Sequence, residues 1–297
     1  MPDTPNFGRN YFTGIGNDPP EDTEMNTVQP KGIAVVTGAS TGIGAIYADR
    51  LAKRGHDLIL VARNGERLAT LARRIASDTG RNVETVRADL TSPADLRQVE
   101  DILRTNANIS VLVNNAGIGA TAPLVASDVD AMEDMIRLNV TALTRLTYAA
   151  APAFLKRGSG AIINVSSAVA VAPELLNGVY GATKAYVLAL THSLIHEFAD
   201  KGVRIQAVLP GATATEFWDI AGTPVHQLPA EIVMSAQDLV DAALAGFELG
   251  ETITIPSLPN QADWDRFEAA RRALVGKIPN AIAAPRYTLR QRQQLSA

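Results

Sequence analysis

Seven short runs rich in Val, Ile and Leu recur along the chain, separated by longer stretches of helical pattern. The runs occupy 33–37 (IAVVT), 57–62 (DLILVA), 83–88 (VETVRA), 110–115 (SVLVNN), 161–166 (AIINVS), 204–209 (RIQAVL) and 251–256 (ETITIP). Most are nearly continuous in apolar residues, as strands of a parallel sheet must be when both faces are covered. Helical patterns fill 42–54, 65–79, 92–107, 128–157, 180–201 and 236–249, with Ser92 as an N-cap and Pro93 at the first helical position. This alternation predicts an α/β fold: a doubly wound sheet of about seven parallel strands with helices on both faces. Ligands of such sheets bind beyond the carboxyl ends of the strands.

Composition narrows the function. The 297 residues are 46% hydrophobic and 20% charged, with a net charge of −4, so nucleic acid is not an expected partner. There is no cysteine, which excludes disulfides, thiolate metal sites and cysteine nucleophiles. No apolar run approaches the roughly 20 residues a bilayer span needs. The N-terminus has no basic region leading into an apolar one, so no secretory signal is read and a cytoplasmic setting is expected. Residues 1–30, rich in Pro, Asn, Asp, Thr and Gly, are expected to form a flexible arm, and the GIG at 14–16 is read as loop. Met25 is a candidate alternative start, which would make the arm dispensable. Residues 31–256 form the expected main domain. Residues 257–297 form an extension with an amphipathic helix at about 261–275 and a basic tail. The glycosylation-like triplets at Asn139 and Asn164 fall inside predicted elements and are set aside.

The first strand runs straight into TGASTGIG at 37–44, spaced G-x-x-x-G-x-G through Gly38, Gly42 and Gly44. Glycines there let backbone approach a ligand, and the following helix points free amides and its positive dipole end at the same spot, a seat for a pyrophosphate. With NNAG at 114–117 and YGATK at 180–184, this turn resembles the short-chain dehydrogenase/reductase family, in its branch with a single Rossmann-like domain. The resemblance covers roughly 31–256 and extends to Asp89, Asn139 in LNV, the serines of NVSS and PGATAT at 210–215. It implies a nicotinamide cofactor. The residues carried over for it are Gly38, Ser40, Thr41, Gly42, Ile43 and Gly44 in the turn, and Asp89 and Leu90 after the third strand. Asn115, Ala116 and Gly117 of NNAG, Tyr180 and Lys184, and Pro210, Gly211, Thr213 and Thr215 complete the set. Thr213 and Thr215 are expected to fix the nicotinamide carboxamide.

The end of the second strand reports on the choice of cofactor. An acidic residue there would bind the ribose hydroxyls and repel a 2′-phosphate. The chain instead has Ala62 followed by Arg63, whose guanidinium suits a phosphate. NADP(H) is therefore expected over NAD(H), although Thr41 stands where many NADP-preferring relatives carry a second basic residue.

Tyr180 and Lys184 are four residues apart, so on a helix they share a face. By resemblance Tyr180 is the acid/base, and Lys184 holds the cofactor ribose and, with the oxidised ring, lowers the phenol's pKa. Ser167, thirteen residues before Tyr180, hydrogen-bonds the substrate oxygen, while Ser166 faces the other way and serves structure. Asn139 resembles the member that anchors a water relay behind the lysine. His192 and His196 share a helix face but lack a third ligand, so no metal is expected.

Leu175, Leu176, Phe217 and Trp218 offer apolar surface near the pocket, and the segments carrying them have no Arg or Lys. This favours a hydrophobic ketone, aldehyde or secondary alcohol. For Phe217 and Trp218, packing within the domain or at a subunit interface is an equal reading. Two alternatives remain: a reductase of acyl-carrier-bound (3-oxoacyl) ketones, and a non-catalytic NADP(H)-binding sensor. Relatives pair through the helices placed here at 128–157 and 180–201, which implies a homodimer or homotetramer.

Overall fold

The computed structural model describes residues 31–279 and 281–287. The expected arm with its GIG and Met25, and the tail from 288 onward, lie outside the described residues.

The elements follow in chain order: β1 (Ile33–Thr37), α1 (Gly42–Lys53), β2 (Asp57–Ala62), α2 (Gly65–Thr79), β3 (Val83–Arg87), α3 (Pro93–Thr105), β4 (Ile109–Asn114) and α4 (Val129–Ile136). A π-helical segment (Arg137–Ala142) joins α4 to α5 (Leu143–Arg157). Then come β5 (Gly160–Val165), α6 (Gly178–Glu197), β6 (Val203–Val208), β7 (Thr213–Ala214), α7 (Phe217–Ala221), β8 (Met234–Ser235), α8 (Ala236–Glu248), β9 (Ile253–Thr254) and α9 (Gln261–Ala273). Seven strands pair in the order β3-β2-β1-β4-β5-β6-β9, all parallel, as the alternation predicts. β7 and β8 form a separate two-stranded ribbon.

Strand periodicity divides the core into two layers. Ala34 and Val36 of β1, with Leu58 and Leu60 of β2, pack under Tyr47 and Leu51 of α1, Leu68 and Ile75 of α2, and Leu239 and Val240 of α8. Val35, Ile59 and Val61 point to the other face, against Val99 and Leu103 of α3, Leu146 and Phe154 of α5, and Leu194 of α6. Both faces are thus covered, which explains why the strands lack polar alternation.

Three departures from the sequence reading are local. The helix expected over 128–157 is interrupted by the π segment, a feature that apolar periodicity does not encode. The seventh strand of the sheet is two residues long, not six. The helix carrying Tyr180 begins at Gly178, because Asn177 caps it. Ser92 does cap α3, accepting from the Asp95 amide, with Pro93 at its first position. Asn139 and Asn164 are both buried, so neither can accept a glycan.

In the order 3-2-1-4-5-6, β1 leads its chain toward one edge and β4 toward the other. A crevice opens where their carboxyl ends diverge. The glycine turn after β1 and NNAG after β4 meet in it.

Candidate active site

Thr37 at the end of β1 knits these two segments together. Its hydroxyl donates to the Val113 carbonyl (3.1 Å) and accepts from the amides of Asn115 (3.0 Å) and Ala116 (3.1 Å). The Asn115 amide donates back to the carbonyls of Thr37 (2.9 Å) and Gly38 (3.3 Å). The Asn115 side chain therefore braces the glycine turn from behind. Gly44 is confined there: a Cβ would lie 2.3 Å from the Gly38 oxygen. Gly38 itself sits at φ +65°, a conformation costly for any side-chain-bearing residue. The helix that starts here, α1, has no side-chain cap and no acidic residue in its first turn.

A cleft of about 510 Å³ extends from this turn. Gly38, Thr41, Gly42 and Ile43 line one end, and Asn115, Ala116 and Gly117 the floor. Ser167, Tyr180 and Lys184 line the centre, and Pro210, Gly211, Thr213 and Thr215 the opposite wall. The remaining expected residues are not on the cleft wall. Gly44 lies beneath the turn, and Leu90 contributes its side chain to the core. Ser40, Arg63 and Asp89 also lie off the wall of this cleft. Arg63 is exposed at the end of β2 and makes no hydrogen bond or ion pair among the described residues. Its charge reaches Asp89. Burial opposes ionisation of that carboxyl, but hydrogen bonds from Thr91 and the Arg63 charge together hold it below the ordinary value.

Tyr180 and Lys184 are both buried on the inner face of α6, with the Lys184 Nζ 5.9 Å from the Tyr180 ring centroid. Nζ donates to the Val165 carbonyl (3.0 Å) at the end of β5. Burial pushes Lys184 down to about 8 and Tyr180 up to about 12, the latter opposed by a hydrogen bond from Ser167. Within the protein alone, desolvation of the phenol outweighs the Ser167 hydrogen bond. Ser167 also touches the Pro210 carbonyl and the Val169 amide, each at 3.4 Å. Ser166 behaves structurally, donating to the Lys184 carbonyl (2.8 Å) and tying β5 to α6.

Asn139 stands behind the wall. Its amide donates to the Ile118 carbonyl (2.8 Å) and to the Thr183 hydroxyl (3.1 Å), and its oxygen accepts from the Ile118 amide (3.0 Å). It positions the chain leaving NNAG against α6 and does not itself reach the cleft. The π segment carries it.

The outer half of the cleft is apolar. Ile118, Val169, Leu175, Leu176, Phe217 and Ile220 line it, with Leu228 and Ile232 beyond. Lys184 and Glu216 are the charged side chains on its wall among the described residues. Phe217 and Trp218 both pack and line the cleft. The Phe217 ring lies 5.6 Å from that of Tyr180, and the Trp218 indole donates to the Thr213 carbonyl (3.0 Å). Sequence reasoning missed Thr121, Thr223 and Asn177, which join the cleft's loops. The sole signal was Asn177 as a cap residue just before a helical run. The two helical histidines diverge in environment: His192 stacks on Trp264, while His196 is exposed. No cluster of His, Asp and Glu fit for a metal occurs among the described residues.

The short chain dehydrogenase family model matches residues 32–223. A short-chain dehydrogenase from Sphingobium yanoikuyae, solved in complex with NADPH, is 49% identical, with a TM-score of 0.84, over 86% of this chain and 100% of that one. The bulky-bulky ketone specific alcohol dehydrogenase from Comamonas testosteroni is 43% identical, with a TM-score of 0.80, over 86% of this chain and 98% of its own. Hydroxysteroid dehydrogenase-like protein 1 of Gallus gallus is 34% identical over 184 residues, which make up 61% of this chain and only 56% of that relative. The glycine turn, the tyrosine–lysine pair and these matches agree: the chain belongs to the short-chain dehydrogenase family.

Proposed function

We propose that this chain is an NADP(H)-dependent oxidoreductase that interconverts a carbonyl and an alcohol on a small apolar molecule, with Tyr180 as the acid/base. The observation that carries this reading is the convergence of Ser167, Tyr180 and Lys184 on one cleft that opens from the glycine turn.

The residues present fit an anionic dinucleotide. The first-turn amides of α1 have no side-chain cap, and Gly44 leaves no room for a side chain where backbone must pack closely. Arg63, without an ion-pair partner among the described residues, suits a ribose 2′-phosphate. The Sphingobium relative was solved with NADPH, which supports the same choice. When bound, the cofactor supplies the hydride in reduction and accepts it in oxidation.

The chain's own groups handle the proton. The buried phenol, pushed up to about 12, is protonated across the neutral range and so enters reduction ready to donate to the carbonyl oxygen. The Ser167 hydroxyl orients that oxygen and stabilises charge developing on it. Lys184 would hold the cofactor ribose, and its ammonium, 5.9 Å from the Tyr180 ring centroid, would keep a positive centre near the phenol. Apolar walls around this centre, with no arginine on them, favour an uncharged ketone carrying apolar groups on both sides. The Comamonas relative, specific for bulky-bulky ketones, supports that class. An acyl-carrier substrate would call for a patch of free cations beside the cleft, whereas Arg67, next to the lining Glu216, is already paired with it (2.7 Å). The exposed apolar side chains of Val129 and Tyr148, on α4 and α5, support assembly of two or more copies through that surface.

The test is turnover of a panel of ketones and alcohols with NADPH and NADH, followed by the absorbance of the reduced cofactor. Tyr180→Phe is expected to abolish turnover while leaving NADPH affinity within about twofold. Near-normal kcat in that variant would overturn the assignment of Tyr180. Tight NADPH binding without turnover of any substrate would favour the sensor reading.

A further inference from the structure

Asn177 is 3% exposed and lies three residues before Tyr180. Its side chain is engaged in two directions. Oδ1 accepts from the amides of Val179 (2.9 Å) and Tyr180 (3.3 Å), closing the first turn of α6. Nδ2 donates to the Ala122 carbonyl (2.7 Å) and the Ser127 hydroxyl (3.0 Å) in the loop after β4. Its backbone amide adds a bond to the Ala120 carbonyl (3.4 Å).

That loop is bonded in turn to the segment 217–232, the lid, whose Phe217, Ile220, Leu228 and Ile232 line the cleft. The Thr121 amide and hydroxyl both donate to the Ala221 carbonyl at the end of α7, each at 3.0 Å. The Thr223 hydroxyl donates to that of Thr121 (2.9 Å). Gly222, between the two lid residues, holds φ +99°, which other residues rarely adopt. A continuous path of hydrogen bonds therefore runs from the lid through the loop and Asn177 to the backbone of Tyr180.

Helix capping alone does not explain the choice of asparagine. Ser, Thr or Asp would cap as well and need only an acceptor. Asn carries an acceptor and two donors on one short side chain, and here both functions are used. We propose that Asn177 is a positioning residue: through it the lid and the loop 120–127 hold Tyr180 in its reacting place. This rests on the reading of Tyr180 as the acid/base. It predicts that the seating of substrate beneath the lid is felt at the tyrosine backbone, and misplacement of a reacting group by about 1 Å costs about 100-fold.

Asn177→Asp keeps a cap acceptor and has no donor for the loop, while Asn177→Ser keeps the acceptor and a single hydroxyl proton that cannot serve both Ala122 and Ser127. Both are expected to lower kcat for ketone reduction by about 10- to 100-fold while NADPH affinity, read by fluorescence titration, changes less than about twofold. Wild-type kcat in either folded variant would overturn the proposal, since a plain cap is satisfied by both. A second arm does not depend on turnover or on altering Asn177. Thr121→Val removes the hydroxyl contacts between loop and lid, and amide hydrogen exchange then reads the consequence. Faster exchange is expected both in 120–127 and in the first turn of α6. Faster exchange in the loop with an unchanged α6 would also overturn the proposal. Should the wild-type protein reduce no ketone, the functional reading fails, and this exchange experiment still decides the brace.

Discussion

Arg63 is an exposed cation at the carboxyl end of β2, with no ion-pair partner among the described residues and Asp89 within its field. Replacing Arg63 with Asp should turn attraction for a 2′-phosphate into repulsion. The ratio of kcat/KM for NADPH over NADH is expected to fall by about 100-fold or more, in line with about 3 kcal/mol for a charge-assisted bond. An unchanged ratio would remove Arg63 from cofactor choice. Lys184 makes a different kind of prediction. Its ammonium falls from 10.5 to about 8 on burial. Between those values the unfolded chain keeps a proton that the folded chain has released, so folding becomes more favourable as pH rises through the window. Below about 8 both states are charged and the burial penalty is fully present. Lys184→Met lacks this dependence. The stability of the wild type relative to Lys184→Met, compared by urea unfolding, is therefore expected to rise with pH from about 8 toward 10.5. A flat difference would mean that water reaches the ammonium. The pairing of Tyr180 with Lys184 was legible from spacing, since i and i+4 share a helix face. The burial of both side chains was not, because spacing carries no information about it.

At the scale of elements, the lid is held by close packing as much as by hydrogen bonds. The chain at Gly119 passes so near the Phe217 ring that a Cβ there would lie 2.2 Å from its Cζ. Gly119→Ala must displace the Phe217 ring and disturb α7, at a cost of about 1–3 kcal/mol for overpacking. A several-fold or larger rise in KM for ketone is expected with little change in NADPH affinity, measured by steady-state kinetics and by titration. Equal KM values would show that Phe217 is not part of the substrate wall. The strands and most helices were readable because each is specified by its own residues. Ser92 before Pro93 sets the start of α3, and the continuous apolar runs set β1 and β2. The π segment holding Asn139 was not readable. Its register answers to partners at Ile118 and Thr183, which are 21 and 44 residues away. The short α7 and the β7–β8 ribbon escaped for a related reason: such brief elements are stable only where neighbouring segments support them.

Across the whole molecule, the extension beyond β9 docks on the sheet. Trp264 of α9 is buried with Leu188, Leu209 and Ile253, and stacks in parallel on His192. Beside it, Glu268 is buried on α9 with Arg271 and Arg272 of its own helix, 3.4 Å from the His192 ring on α6. Trp264→Ala should cost about 3–5 kcal/mol locally and loosen α9. Limited proteolysis is expected to cut faster within 257–279, and resistance equal to wild type would show that the helix does not depend on this anchor. Family and fold were legible because they are written in local spacings: apolar runs of strand length, the glycine turn, and a tyrosine one helical turn from a lysine. Local spacing was enough to specify the seven strands of the sheet, most of the helices and the family. Only the folded chain sets the rest, including the off-wall place of Asn139, the burial of Tyr180 and Lys184, and the bond path from Thr223 through Asn177 to Tyr180. These depend on burial and on contacts between distant segments, and such quantities exist only once the chain has closed on itself.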